Sequence, residues 1–267
     1  MKKIYILFFL LSVSLLFSFY EIKFSLVKSI PLTSSFFTTD NIKNTYIIRN
    51  NTIEKYDNEG NALKNYSNKN LGEITSLDAS NSLKILVFYK NFLHLLFLDN
   101  TLSQNGNSIS LESLGYNQVS LISSSHNNGF WLYNQQNSEL VRFNQSLQIT
   151  HQTGNITQLI GSEINPVFLT EQNNKVFLND TQTGILVFDI YGTYYKTIPI
   201  KNIKHFQISN DDIFFYKNNK LNNYNMKTLE QSEMTLPDSS AIDVRIEKEN
   251  LFLLKQKSLD IYTLLSD

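Results

Sequence analysis

Short apolar runs alternate with polar turns along most of the chain, and this pattern predicts β-strands. Six runs of four or five residues are dense in β-branched and aromatic types, and they cover Thr45–Ile48, Ile85–Tyr89, Phe130–Tyr133, Lys175–Leu178, Ile213–Tyr216 and Leu251–Leu254. Such residues pack well on a pleated, half-buried surface, and turns rich in Asn, Gln, Gly or Lys separate the runs. The chain is therefore predicted to be all-β.

A second set of segments follows these runs at a regular spacing. Each segment ends in an aromatic residue or Leu, usually followed by Asp or Asn, and the end positions are Tyr56, Leu98, Phe143, Phe188, Tyr224 and Tyr262. These positions lie 42, 45, 45, 36 and 38 residues apart, a mean of about 41. Short strands that recur with this period are typical of β-propeller blades.

Candidate first strands lie upstream of the apolar runs, at Ile74–Leu77, Val119–Ser123, Val167–Thr170, Phe206–Ser209 and Ile242–Ile246. With a short strand after each turn, every repeat contains four strands. Six such repeats account for residues 19–267 and leave no room for a second domain. We predict a six-bladed β-propeller of four-stranded antiparallel blades.

The last repeat reaches Asp267 directly after its third strand and has no outer strand of its own. Residues 21–32, in which Ile22, Phe24 and Leu26 alternate with polar side chains, can supply that strand. Pairing of the N-terminal strand with the last blade would close the ring and cover an exposed sheet edge.

Two turns carry a more specific motif. Leu186–Thr193 and Lys55–Asn61 resemble the hairpin of NHL and TolB-like six-bladed β-propellers, in which a strand ends in Phe-Asp-x-x-Gly-x. In other repeats the glycine is replaced. The replacing residue is Thr101 in one repeat, Ser146 in the next, and Lys227 or Thr228 in a third. The resemblance implies the propeller fold over the mature chain.

The N-terminus predicts export. Lys2 and Lys3 precede the apolar run Ile4–Leu11, and the run continues to Phe19 with only serine interruptions. This is the shape of a signal peptide, and we expect residues 1–18 to be removed by a cut between Ser14 and Tyr20. The alternative is an uncleaved anchor, because Ile4–Tyr20 is just long enough to span a bilayer.

Composition narrows the classes of partner and chemistry. The 267 residues contain no cysteine, so thiol catalysis and a thiolate metal site are excluded. A net charge of −1 argues against nucleic acid and against a polybasic membrane surface. Lysine far outnumbers arginine and asparagine is abundant, which fits a bacterial protein. Periplasm or outer cell envelope is the predicted location, with no transmembrane span after signal cleavage.

Candidate catalytic groups are sparse. His94, His126, His151 and His205 are the only histidines, and none has a ligand partner at a spacing that recurs in metal sites. His94 lies in an apolar run, and each histidine is expected to be packed or hydrogen-bonded, although His126 could face a central pocket. There is no Gly-x-Ser-x-Gly elbow and no phosphate-binding glycine loop. We predict no catalytic residue, no metal and no cofactor.

Aromatic residues give the candidate binding positions. Trp131, the only tryptophan, and Tyr133 lie in the strongest aromatic cluster and suit either inter-blade packing or a binding surface. Tyr194 and Tyr195 follow Gly192 and are expected to be exposed.

Two functions remain open at this stage. One is an exported, non-enzymatic binding or scaffold propeller that contacts a protein or glycan in the envelope. The other is an exported hydrolase or lyase that acts on a sugar or lactone. An enzyme should bring histidines and carboxylates from several blades into one pocket, and the scattered histidines favour the first function.

Overall fold

The protein is an all-β, six-bladed propeller in a computed structural model that describes residues 23–33 and 36–265. The predicted signal peptide lies outside the described residues. Helical structure within them is limited to α1 (Ile156–Ile160) and the 3-10 turns Lys69–Leu71, Lys90–Phe92 and Glu112–Leu114. The predicted fold class is therefore confirmed.

Five blades each take four consecutive strands from the chain. Blade 1 contains β2 (Phe37–Thr39), β3 (Thr45–Arg49), β4 (Thr52–Tyr56) and β5 (Ala62–Ser67); blade 2 contains β6 (Ser76–Asp78), β7 (Ile85–Tyr89), β8 (His94–Leu98) and β9 (Gln104–Ser110); blade 3 contains β10 (Val119–Ser124), β11 (Phe130–Asn134), β12 (Glu139–Phe143) and β13 (Ile149–Gln152).

The remaining strands complete the ring. Blade 4 contains β14 (Pro166–Gln172), β15 (Lys175–Asp180), β16 (Gly184–Asp189) and β17 (Tyr194–Ile198); blade 5 contains β18 (Gln207–Ser209), β19 (Asp212–Lys217), β20 (Lys220–Asn225) and β21 (Gln231–Thr235); blade 6 contains β22 (Asp243–Glu247), β23 (Asn250–Leu254), β24 (Ser258–Leu264) and β1 (Phe24–Pro31). Contacts between the first strands of neighbouring blades join β6 to β10, β10 to β14 and β22 to β2, so these strands lie on the inner side of the ring.

The six apolar runs of the sequence become the second strands of the blades, as predicted. Every residue of β7, β11 and β23 is buried. These strands lack apolar–polar alternation because both faces of a blade pack against neighbouring blades.

An apolar cluster lies at each of the six interfaces between blades in the described part of the chain. Phe143 packs between blades 2 and 3, where its ring stacks on Phe130 with centroids 5.1 Å apart. Phe188 occupies the corresponding place between blades 3 and 4. The repeat period thus marks residues that fill equivalent places between blades.

The N-terminal strand closes the ring. β1 pairs antiparallel with β24, from Phe24 opposite Leu264 to Pro31 opposite Ser258. Ile30 is buried in the cluster between blades 6 and 1. A register shift between Leu26 and Lys28 interrupts the predicted alternation, and Leu26 is 53% exposed. Ile22 lies outside the described residues.

The Asp-x-x-Gly turns join the third and fourth strands of the blades. The side-chain Oδ1 of Asp189 accepts hydrogen bonds from the backbone N–H groups of Tyr191 (2.9 Å) and Thr193 (2.8 Å), and Gly192 adopts a φ of 89°. Asp or Asn also occupies the corresponding position in other blades, and side chains of these two types commonly stabilise such turns.

From the sequence, Thr101 and Ser146 were expected at the glycine position of this turn, which is one residue too early. In this turn of blades 2 and 3, the residues with positive φ are Leu102 (61°) and Leu147 (60°), rather than Thr101 and Ser146. Leu102 is only 4% exposed and packs in the cluster between blades 1 and 2. Burial of the side chain offsets the backbone strain that a non-glycine residue meets there.

His94 is hydrogen-bonded, which is one of the two environments expected for it. His94 is the first residue of β8 and is only partly buried, and its Nδ1 lies 2.6 Å from the carbonyl oxygen of Phe92. The apolar run begins one residue later, because the left-handed Leu93 ends the preceding turn.

Ring closure predicts a sharp contrast between two residues of β1. Ile30→Ala should lower the free energy of unfolding by about 2–5 kcal/mol, because it leaves a cavity between blades 6 and 1. Leu26→Ala, on the exposed part of the same strand, should change it by no more than about 0.5 kcal/mol. Urea denaturation measures both values, and equal effects would contradict a closing role for β1.

Candidate functional site

A cavity of about 200 Å³ lies on one face of the ring, where blades 2, 3 and 4 meet. It is formed by the connections between the first and second strands of these blades. Its lining includes Ser80 and Lys84 from blade 2, the stretch Ser124–Gly129 from blade 3, and Glu171 and Gln172 at the end of β14. The repeat brings these segments together, because each blade presents the same connection on the same face.

Glu171 is the most heavily bonded side chain of the cavity. Its Oε1 accepts hydrogen bonds from the backbone N–H of His126 (2.9 Å) and is 2.8 Å from Nδ1 of the same residue. Its Oε2 accepts from Ser125 Oγ and from Trp131 Nε1, both at 2.6 Å. The carboxylate therefore ties blade 4 to three residues of blade 3.

These contacts set the charge of Glu171. Burial raises the pKa of the carboxyl group, but the hydrogen bonds from Ser125, His126 and Trp131 outweigh it and hold the pKa below its usual value. Glu171 is consequently a carboxylate at neutral pH, and its accepting positions are occupied by protein donors.

Arg142 supports this network from β12. Its Nε donates to Ser125 Oγ (2.7 Å), its Nη2 to the backbone oxygen of His126 (2.7 Å) and its Nη1 to Thr150 Oγ1 (2.9 Å). Burial lowers the pKa of the guanidinium, whereas the nearby Glu171 raises it. Arg142 is 4% exposed and thus fixes the turn from behind the cavity wall.

Gly129 allows this close packing. A Cβ atom at this position would lie 2.3 Å from the backbone oxygen of Phe143 and 3.2 Å from Nη2 of Arg142. Real side chains do not tolerate the first distance, so only glycine lets the turn approach β12.

His126 presents an imidazole to the cavity. Its Nδ1 is engaged by Glu171, and its side chain is 31% exposed. When Nδ1 carries the proton and donates to the carboxylate, Nε2 keeps its lone pair. His126 can therefore accept a hydrogen bond, or a proton, at Nε2.

The blade 2 side of the cavity combines an ammonium group with an aromatic ring. Lys84 Nζ lies 4.0 Å from the ring centroid of Phe97 and donates to the backbone oxygen of Asn128 at 2.7 Å. Burial lowers the pKa of Lys84. Nearby, the backbone N–H of Ser124 donates to Asp78 Oδ2 at 2.7 Å, while its buried Oγ has no hydrogen-bond partner among the described residues.

A separate polar network lines the inner strands. Arg245 Nε donates to Thr39 Oγ1 at 3.1 Å, and Thr39 donates to Glu247 Oε1 at 2.7 Å. His205 Nε2 lies 2.8 Å from Asp243 Oδ1. Each contact joins neighbouring blades. Within residues 23–33 and 36–265, no three His, Asp or Glu side chains lie close enough together to hold a metal ion.

The structure places the four predicted aromatic residues at the interface between blades 3 and 4 or on its rim. Trp131 and Tyr133 are 0% and 2% exposed and belong to the inter-blade cluster. Tyr194 was expected to be exposed but is partly buried, because it packs against the same cluster, whereas Tyr195 is 65% exposed, as expected. The Nζ of Lys175 lies 5.6 Å from the Tyr195 ring centroid. A binding role for these residues stays a prediction.

Sequence reasoning missed Glu171, Arg142 and Ser125 as parts of one cluster. A usable signal existed, because His126 and Glu171 are 45 residues apart, which is close to one repeat. Residues one period apart occupy equivalent places in neighbouring blades and can therefore meet.

A second, more open groove of about 490 Å³ lies beside blade 2, with Asn107–Ser110, Ser113, Leu114, Gln145 and Leu147 along it. It contains no titratable side chain.

Comparisons with known proteins support the fold alone. No family model matches the chain, and no curated protein is similar to it in sequence. Among solved structures it is similar to virginiamycin B lyase from Staphylococcus aureus with quinupristin, with 18% identity, a TM-score of 0.57 and coverage of 86% of this chain and 80% of the other.

Two further solved structures share the fold. A gluconolactonase from Xanthomonas campestris is 8% identical, with a TM-score of 0.61 and coverage of 91% and 90%. BBS1N in complex with ARL6DN is 13% identical, with a TM-score of 0.53 and coverage of 83% and 75%. No described helix is long and apolar enough to cross a membrane. The structural neighbours thus include enzymes as well as a propeller bound to a protein.

The Glu171 network predicts a pH-dependent contribution to stability. Because the pKa of Glu171 is lowered by folding, its stabilisation is present above the ordinary Glu pKa of about 4.3 and is lost as the pH falls through the folded value. Glu171→Gln should lower the free energy of unfolding by about 1.5–3 kcal/mol at pH 7, because an amide cannot accept from all these donors.

The difference between Glu171→Gln and the native protein should shrink as the pH falls below about 4. Urea denaturation at both pH values measures it. The exposed Glu233→Gln is the matched control and should show a difference near zero. A difference for Glu171→Gln that does not change with pH would contradict the assignment of a buried carboxylate.

Proposed function

We propose that the protein is an exported, non-enzymatic binding or scaffold propeller of the bacterial cell envelope. In this proposal it contacts a protein or glycan through the loops at one end of the ring. The predicted signal peptide supports export, and the cavity between blades 2, 3 and 4 supplies a preformed, rigid, polar recess.

The direction of the hydrogen bonds around Ser125 carries the proposal. Ser125 Oγ donates to Glu171 and accepts from Arg142. The pKa of Glu171 is held below its usual value, so this carboxylate is too weak a base to activate the hydroxyl oxygen. His126 is 3.4 Å from Ser125 Oγ and uses the same ring nitrogen for Glu171. These side chains hold each other in place, as the wall of a binding site requires.

An exported hydrolase or lyase that acts on a sugar or lactone is the second candidate. The observation in its favour is the pairing of His126 with Glu171, because it leaves Nε2 of a partly exposed histidine free to take a proton inside a cavity. The solved structures that share the fold include proteins named as a virginiamycin B lyase and a gluconolactonase, so the fold is compatible with such enzymes.

One experiment separates the two candidates. Purified protein from residue 19 onward is sedimented with isolated cell-wall sacculi, mixed with solubilised envelope proteins, and assayed with sugar and lactone substrates. We expect saturable binding to one envelope fraction and no turnover. Turnover that falls tenfold or more in His126→Asn, with an unchanged melting temperature, would overturn the binding proposal.

Export makes its own prediction. The protein recovered from the envelope fraction of expressing cells should begin between residues 15 and 20, because the peptidase cuts after the apolar region. Intact-mass spectrometry measures the start. Replacement of Leu10 and Leu11 by Lys should abolish cleavage, whereas a native protein that retains Met1 in the membrane fraction would favour the uncleaved anchor.

A further inference from the structure

We propose that the cavity between blades 2, 3 and 4 binds one neutral, hydroxylated sugar unit, with His126 Nε2 as a hydrogen-bond acceptor. This inference rests on the binding function proposed above and assigns it a ligand class and a set of residues. The unit is either a free monosaccharide or the end of a glycan chain, since both offer the same hydroxyl groups.

The size of the cavity sets the size of the ligand. Its volume is about 200 Å³. Sites for drug-sized ligands are larger, about 300–1,000 Å³. A single small ring fits this space, whereas a folded peptide segment does not.

The polar groups of the wall match hydroxyl groups. Ser80, Asn128 and Gln172 line the cavity. Hydroxyl and carboxamide groups each offer both a donor and an acceptor. The hydroxyl groups of a sugar also donate and accept, so a sugar can form hydrogen bonds with these side chains.

The charges around the cavity argue for a neutral ligand. Glu171 and Asp78 are negative, and Lys84 and Arg142 are positive, so the two signs balance. The carboxylates accept hydrogen bonds from protein groups, as described above, and Lys84 donates to a backbone oxygen. Burial of a further charge in the cavity would be costly.

His126 sets the direction of recognition. Glu171 holds the ring through Nδ1, so Nε2 is the nitrogen left for a ligand. An unprotonated Nε2 accepts from a ligand hydroxyl, and that hydroxyl can in turn accept from a neighbouring donor. The apolar edge of Phe97, which also lines the cavity, can contact the C–H groups of the ring.

Titration with glucose, galactose, N-acetylglucosamine and glucuronic acid, followed by saturation-transfer NMR, tests the proposal. We expect at least one neutral sugar to bind saturably in the millimolar range, and glucuronic acid to bind more weakly. Oligosaccharides with the same sugar at the non-reducing end distinguish a free monosaccharide from a glycan terminus as the source.

Two variants locate the site. His126→Asn keeps an N–H near the Nδ1 position, which preserves the contact with Glu171, but removes Nε2. Gln172→Ala removes an exposed lining amide. Each should weaken binding tenfold or more with little change in melting temperature. His151→Asn and Gln231→Ala, on outer strands away from the cavity, are the matched controls and should bind as the native protein does.

The inference is overturned if no neutral sugar binds the native protein, if glucuronic acid binds more tightly, or if both cavity variants bind as the native protein does. Its failure is separable from that of the proposed function. Envelope binding that persists unchanged in His126→Asn would retain the binding function and reject this cavity as the sugar site. Turnover would reject the binding function itself.

Discussion

The two ends of the described chain share one sheet, and the rest of the structure depends on this constraint. β1 forms the outer strand of blade 6, whose other three strands come from the end of the chain. With the ring closed, each blade is covered on both faces, and its second strand can be apolar throughout. Without β1, Ile30 would leave the cluster between blades 6 and 1, and the edge of β24 would be exposed.

Closure also explains how the candidate site forms from residues distant in sequence. Neighbouring blades present the same connections on the same face of the ring, so His126 meets Glu171 across one blade interface. The buried carboxylate is tolerated because four hydrogen bonds replace its water. The same bonds orient the imidazole and hold the turn, which gives the cavity a rigid wall.

Regular features of the fold could be predicted from the sequence. The blade count, the second strands and the closing strand follow from apolar runs that recur with a fixed period. The bulge that exposes Leu26 could not be predicted, because it depends on packing in the folded sheet rather than on local sequence. Leu102 and Leu147 stand three residues after Asp99 and Asn144, as Gly192 stands after Asp189, so the spacing of the motif does identify these left-handed positions. Trp131 and Tyr133 are residue types that are common on binding surfaces, yet both are buried between blades and belong to the core.

The site itself was harder to predict, because its members carry no motif. Hydrogen bonds across blades bring together Ser125, His126, Arg142 and Glu171. The positions of histidines and carboxylates along the sequence do not reveal these hydrogen bonds. A search for polar residues one repeat apart would have joined His126 to Glu171. It would not have found Arg142, which reaches the turn only because Gly129 lets the backbone approach β12.

The central claim is that Glu171 fixes His126 with its proton on Nδ1 and leaves Nε2 open to the cavity. Long-range ¹H–¹⁵N correlation of the histidine rings tests it most directly, at a pH of about 8, above the ordinary histidine pKa of about 6.5. The account predicts that His126 has a protonated Nδ1 and an unprotonated Nε2, and that Glu171→Gln alters this pattern. An Nε2–H tautomer for His126 in the native protein would contradict it.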